Sequence, residues 1–190
     1  MSSAKRERLV ASAAELLHQQ GASATSLADI AQHADVPLGN VYYYYRTKDD
    51  LVRAVLVAQT EQVAAMMDGF AGLGGPAERL KALVSRWDAM RDLVARYGCP
   101  FGSLTTELNR RDDDLARDAA APMRAILDWA AGQFRELGCA EPDDLAVTLL
   151  SGIQGSALLA AALGDPDLLA RQVRHLHSWI DSTAATAPKR

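Results

Sequence analysis

Tyr42 to Tyr45 form a run of four tyrosines in a chain that holds five. Consecutive helical positions turn about 100° apart, so one core cannot take four successive rings. Tyr45 is expected inside, with Leu38 and Val41 completing an inward stripe at i, i+3 and i+7. Tyr42, Tyr43 and Tyr44 are then left for a partner. A ring can meet a thymine methyl, and a phenol can meet a phosphate. Gly39 permits close backbone approach, Asn40 can pair with a base edge or a phosphate, and Lys48 supplies a point charge for phosphate. Double-stranded DNA is the partner this chemistry fits.

Other reactive groups form no catalytic pattern. No glycine-rich phosphate loop, HExxH, GxSxG or paired-carboxylate catalytic pattern appears on any expected helix. No enzyme activity, catalytic residue or cofactor is expected. His175 and His177 point to different sides of a helix, so no shared metal is expected. The run Asp112-Asp113-Asp114 reads as a helix cap within a solvated loop. Cys99 stands where a helix could start, where the dipole would favour a thiolate. Its alternative reading is a small apolar residue packed between helices. Cys99 and Cys139 lie in no CxxC or Cys/His spacing, and no charged-then-apolar leader opens the chain, so a cytoplasmic protein is expected.

An all-α fold must position these groups. The 190 residues include 35 Ala and 25 Leu against 11 Val and 4 Ile, an excess of helix formers over β-branched residues. Residues 4–20 read as an amphipathic helix stopped by Gly21. Ser26 and Asp29 form a capping-box pattern opening a second helix of about nine residues. Asp35-Val36-Pro37 interrupts, and Leu38 to Tyr45 is the third. A long helix runs from Lys48 to about Asp68, ahead of a glycine-rich linker at 69–75. Further helices are expected at 76–97, at 101–109, from the end of the charged run 110–114 to 137 with an interruption or kink at Pro122, at 145–163 and at 167–182. The stretch 145–163 carries no charge. Its polar interruptions and the lack of flanking basic residues argue for a buried helix and against a membrane partner. Net charge is −4, and the first 48 residues carry one more basic than acidic group. No basic stripe announces nucleic acid, so the argument rests on placement.

The series Thr25-Ser26-Leu27-Ala28-Asp29-Ile30-Ala31, with Ala34, Val36, Gly39, Val41-Tyr42, Tyr44-Tyr45, Lys48 and Leu51, resembles the DNA-binding segment of the TetR family of bacterial repressors. The resemblance implies a helix-turn-helix DNA-binding domain at 1–47 and a ligand-binding and dimerisation domain at 48–190, about nine helices in all. It implies contact positions at Ser26, Asn40, Tyr42, Tyr44 and Lys48. Ala28 replaces an arginine that reads guanine in some relatives. Asp35, Pro37 and Tyr45 depart from the usual Gly, Ser or Thr, and Phe. The stretch Gly98-Cys99-Pro100-Phe101-Gly102-Ser103-Leu104, followed by Glu107, is similar to a motif in an electrophile- or oxidant-sensing subgroup.

The function expected is a ligand-responsive repressor that binds a palindromic operator as a homodimer and is released by a small-molecule effector. A DNA-organising protein without ligand control and a helical enzyme with an accessory DNA-binding head are the alternatives. Trp87, Met90, Cys99, Phe101, Met123, Ile126 and Gln154 are candidate pocket residues, apolar walls with a polar handle. Leu169, Val173, Leu176 and Ile180 form an apolar stripe expected at the dimer interface, within a bundle of the last two helices of each subunit.

Overall fold

The computed structural model describes residues 2–111 and 113–187, with side chains from residue 4 onward. Asp112 lies outside the described residues, which contain eleven helical segments and no strand. The excess over nine comes from two breaks. Residues expected as one helix at 76–97 divide at Met90 into α5 (Pro76–Ala89) and α6 (Arg91–Tyr97). The helix expected after the charged run 110–114 divides at Ala120 into α8 (Asp114–Ala119) and α9 (Ala121–Glu136). Pro122 has no N–H to give the preceding turn, and the Thr105 hydroxyl donates to the Ala119 carbonyl at 2.7 Å.

Packing divides the chain into two compact units, one of residues 1–62 with 100–122, the other of 63–99 with 123–190. The packing units do not follow the DNA-binding and ligand-binding division expected at residue 47, and they do not test it. In the first unit, α1 (Ser2–Ala24), α2 (Leu27–His33), α3 (Leu38–Tyr44) and the early part of α4 (Lys48–Gly69) share a core with α7 (Pro100–Leu108) and α8. Leu9, Leu17, Ile30, Val41, Leu51 and Val55 meet Leu104, Leu108 and Leu115 there. α7 packs along α1, and α2 contacts both α1 and α3.

The second unit is built on α10 (Pro142–Leu163) and α11 (Pro166–Thr186), which pack on each other, with α5 and α6 against them. Gly152 lets the pair close: a Cβ there would lie 2.8 Å from Gln172 Nε2 and 3.3 Å from Leu176 Cδ2. α10 has the length and apolarity of a membrane span, yet its Ala146, Leu149, Ile153, Ala157 and Ala160 are buried in this unit. It is not buried all round as expected. Val147, Leu158, Leu159 and Leu163 lie exposed, the last with 69% of its surface free.

Candidate nucleic-acid interface

α2 and α3 have seven residues each, too short to persist alone, and local signals fix their ends. Ser26 caps α2. Its hydroxyl oxygen accepts the Asp29 amide at 3.2 Å, and Asp29 Oδ2 accepts the Ser26 amide at 2.8 Å and its hydroxyl at 2.6 Å. The Ser26 hydroxyl, followed by its amide, holds the Asp29 carboxyl below its ordinary range. After α2 the chain turns through Asp35, whose φ of 49° is left-handed. Glycine is the usual residue for such a site, and aspartate is among the few others that tolerate it.

α3 presents the tyrosines in two groups. Val41 is fully buried and Tyr45 nearly so. Tyr45 goes inward by leaving the helix: its φ of −137° and ψ of 114° are extended, and Arg6 Nε donates to its hydroxyl at 3.3 Å. The inward stripe expected from helical spacing is therefore corrected. Leu38, in the first turn after the Pro37 cap, is 39% exposed and contributes little to it. Outside, Tyr42 and Tyr43 are 54% and 81% exposed. Tyr44 is half-buried, edge-on to Tyr43 with ring centres 5.1 Å apart. Gly39 faces open space, since a Cβ at that position would meet nothing within 4 Å, and Asn40 is half-buried beside it.

Lys48 opens α4 behind a second reciprocal cap: the Thr47 amide donates to Asp50 Oδ2 at 3.0 Å and the Asp50 amide to Thr47 Oγ1 at 3.1 Å. The Lys48 side chain is half-buried, and its ammonium donates to the Ala22 carbonyl at 2.8 Å. Its other two N–H groups leave it able to meet a phosphate. The segment 100–122 grips this head by three polar contacts. Glu107 Oε2 accepts the Ala22 amide at 2.8 Å, while its Oε1 accepts the Ser23 amide at 2.7 Å and the Ser23 hydroxyl at 2.6 Å. Arg111 makes a two-pronged bond to Asp49, at 3.0 and 2.5 Å. Asp118 accepts from Arg53 at 3.2 Å. Partial burial pushes the Glu107 carboxyl up, but the Ser23 hydroxyl, the two amides and Lys48 together outweigh it and hold the group below its usual range. Arg111 likewise holds Asp49 low against the opposing effect of burial.

No sequence signal places Glu107 and Arg111 with the DNA-binding head. Glu107 stands 84 and 85 positions from its partners, and no local spacing encodes such a pairing. Asp113 caps α8 by accepting the Ala116 amide at 3.1 Å, as the reading of its acidic run anticipates.

In the second unit, Cys99 is buried and its sulfur accepts from Gln154 Nε2 at 3.4 Å, so two of the pocket candidates meet. Trp87 and Ile126 are buried, while Met90 and Met123 are half-buried. Phe101, half-buried, belongs to the first unit. Burial pushes the Cys139 thiol up, away from reactivity. The interface expected at Leu169, Val173, Leu176 and Ile180 is corrected. All four are buried within the protomer, because this face of α11 turns onto α5, α6 and α10. The surplus apolar surface lies on α10 instead.

Residues 9–55 match the family of bacterial regulatory proteins described as the tetR family. Residues 76–176 match the tetracyclin repressor-like C-terminal domain. A helix-turn-helix-type transcriptional regulator of Mycobacterium tuberculosis is 33% identical over 187 residues, 90% of this chain and 93% of its own. The helix-turn-helix-type transcriptional repressor NemR of Escherichia coli is 25% identical over 194 residues, covering 94% and 95%. The crystal structure of regulatory protein TetR from Rhodobacter sphaeroides is similar with a TM-score of 0.79 at 28% identity, over 90% of this chain and 96% of that one. Likeness thus runs through the tyrosine-bearing segment and the helical remainder alike, and the protein belongs to the tetR family of bacterial regulatory proteins, DNA-binding regulators of transcription rather than enzymes.

Proposed function

We propose that this protein is a cytoplasmic, ligand-responsive repressor that binds a palindromic operator as a homodimer and is released from it by a small-molecule effector. The observation that carries the reading is the exposure of Tyr42 and Tyr43 on a helix whose other face is anchored by Val41. Large exposed rings beside Gly39 and Asn40 suit the floor of a major groove. In this reading Ser26, Gly39, Asn40, Tyr42, Tyr43, Tyr44 and Lys48 form the DNA-binding face. One recognition helix per chain calls for two chains to give specificity. The exposed apolar face of α10, formed by Val147, Leu158, Leu159 and Leu163 around Ser151 and Gly155, supplies the surface for a second copy. The repressor role follows the name of the E. coli relative. Cys99, with Gln154 as its donor, marks the effector region, and its thiol is the reacting group if the effector is an electrophile.

Duplexes selected by the protein from a random library test this directly. Footprints should show two-fold symmetric half-sites centred about 34–36 Å apart or a multiple of that. Asymmetric protection overturns the palindromic dimer. A compound screen on that complex should yield release, and a tenfold release needs only about 1.4 kcal/mol of differential binding. Failure of every compound favours a DNA-organising protein. Equal release from wild type and Cys99→Ser removes the thiol from the mechanism.

A further inference from the structure

We propose that Glu107 is a positioning residue for DNA binding: from α7, its carboxylate holds the α1–α2 turn and thereby sets the angle at which α2 and α3 meet the duplex. The proposal rests on the DNA-binding reading above and adds to it a residue far outside the helix-turn-helix.

Beside one long backbone bond, from the Thr25 amide to the Ala22 carbonyl at 3.4 Å, side chains hold the turn at 21–25. Gly21 breaks α1 with φ 83° and ψ 165°, which turns the next two amides toward Glu107. A Cβ at Gly21 would lie 2.9 Å from Glu107 Oε2, so the carboxylate is seated against bare backbone. The carbonyl of Gly21 accepts the Thr25 hydroxyl at 2.7 Å, and that of Ala22 accepts the Lys48 ammonium. Ser26, the cap of α2, follows immediately. Among the described residues, the groups bonded to or acting on the Glu107 carboxylate are donors or a cation: two amides, one hydroxyl and the Lys48 ammonium. A carboxamide of the same shape has one acceptor oxygen and would turn an NH2 toward donors. The turn therefore needs the charge of Glu107 as well as its volume. Two seven-residue helices take their direction from such anchors, and base-edge contacts tolerate little misalignment.

The test compares wild type, Glu107→Gln, Glu107→Asp and Ser23→Ala on a duplex selected by the wild type and on a random duplex. Glu107→Gln should bind the selected duplex at least tenfold more weakly, with a smaller ratio of selected to random affinity and faster hydrogen exchange at the Ala22 and Ser23 amides. A smaller folded fraction alone would scale both duplexes equally and leave that ratio unchanged. Glu107→Asp should recover part of the loss. Ser23→Ala removes one of three donors from an exposed residue, so it reports even if Glu107→Gln does not fold, with a loss of about threefold. An unchanged affinity ratio in the folded variants overturns the proposal while leaving the DNA-binding reading intact. A wild type that selects no duplex overturns both.

Discussion

The ammonium of Lys48, in the first turn of α4, sits 2.8 Å from the carbonyl of Ala22 at the end of α1. One side chain therefore serves the fold and leaves two donors for a phosphate. Lys48→Ala should weaken binding to selected and random duplexes, more on the selected one because the α1–α2 turn loses an anchor, and reduce the slope of log affinity against log salt by about 1. It should also cost about 1 kcal/mol of stability, since the Ala22 carbonyl loses its ammonium donor and keeps only the Thr25 amide at 3.4 Å. Salt titrations and urea melts read the two effects separately.

Tyr42 and Tyr45 should separate recognition from folding. Tyr42→Ala leaves stability within about 0.5 kcal/mol, as expected of an exposed site. It should lower operator affinity by about 1–3 kcal/mol and alter sequence preference. Tyr45→Ala empties a buried site and should cost about 3–5 kcal/mol in thermal or urea unfolding. Comparable destabilisation by both would return Tyr42 to the core.

Charge placed on the two faces of the α10–α11 pair should give opposite outcomes. Leu158, 69% exposed on α10, tolerates aspartate within the protomer. Leu158→Asp should therefore yield a folded monomer in sedimentation. Val173 is buried on α11, and Val173→Asp should destabilise the protomer itself by about 3–5 kcal/mol, through an unpaired buried charge. A dimer that persists with Leu158→Asp moves the interface off α10.

Asp35→Gly should raise stability by up to about 1 kcal/mol, because the left-handed φ of 49° is easier for glycine than for any residue with a Cβ. Asp35→Val should destabilise, as a β-branched residue is least tolerant there. Urea unfolding of the two variants checks both directions.

Local chemistry determined much of this protein by itself. The Ser26–Asp29 cap, the stop at Gly21, the kink before Pro122 and the outward phase of Tyr42 and Tyr43 depend on neighbours within a turn or two, and all are readable along the chain. Tyr45 was expected inside from helical phase, but it reaches the core by leaving the helix. Which apolar stripe faces its own protomer was a tertiary decision. α11 carries the cleaner heptad pattern and spends it on α5, α6 and α10, while the uncharged α10 keeps a face free. Periodicity tells that a helix has an apolar side and is silent about what covers it. The seat of Glu107 against Ala22 and Ser23 was likewise decided only by folding. A hydrogen bond across 85 residues depends on the packing of α7 along α1, and that arrangement leaves no spacing in the sequence to read.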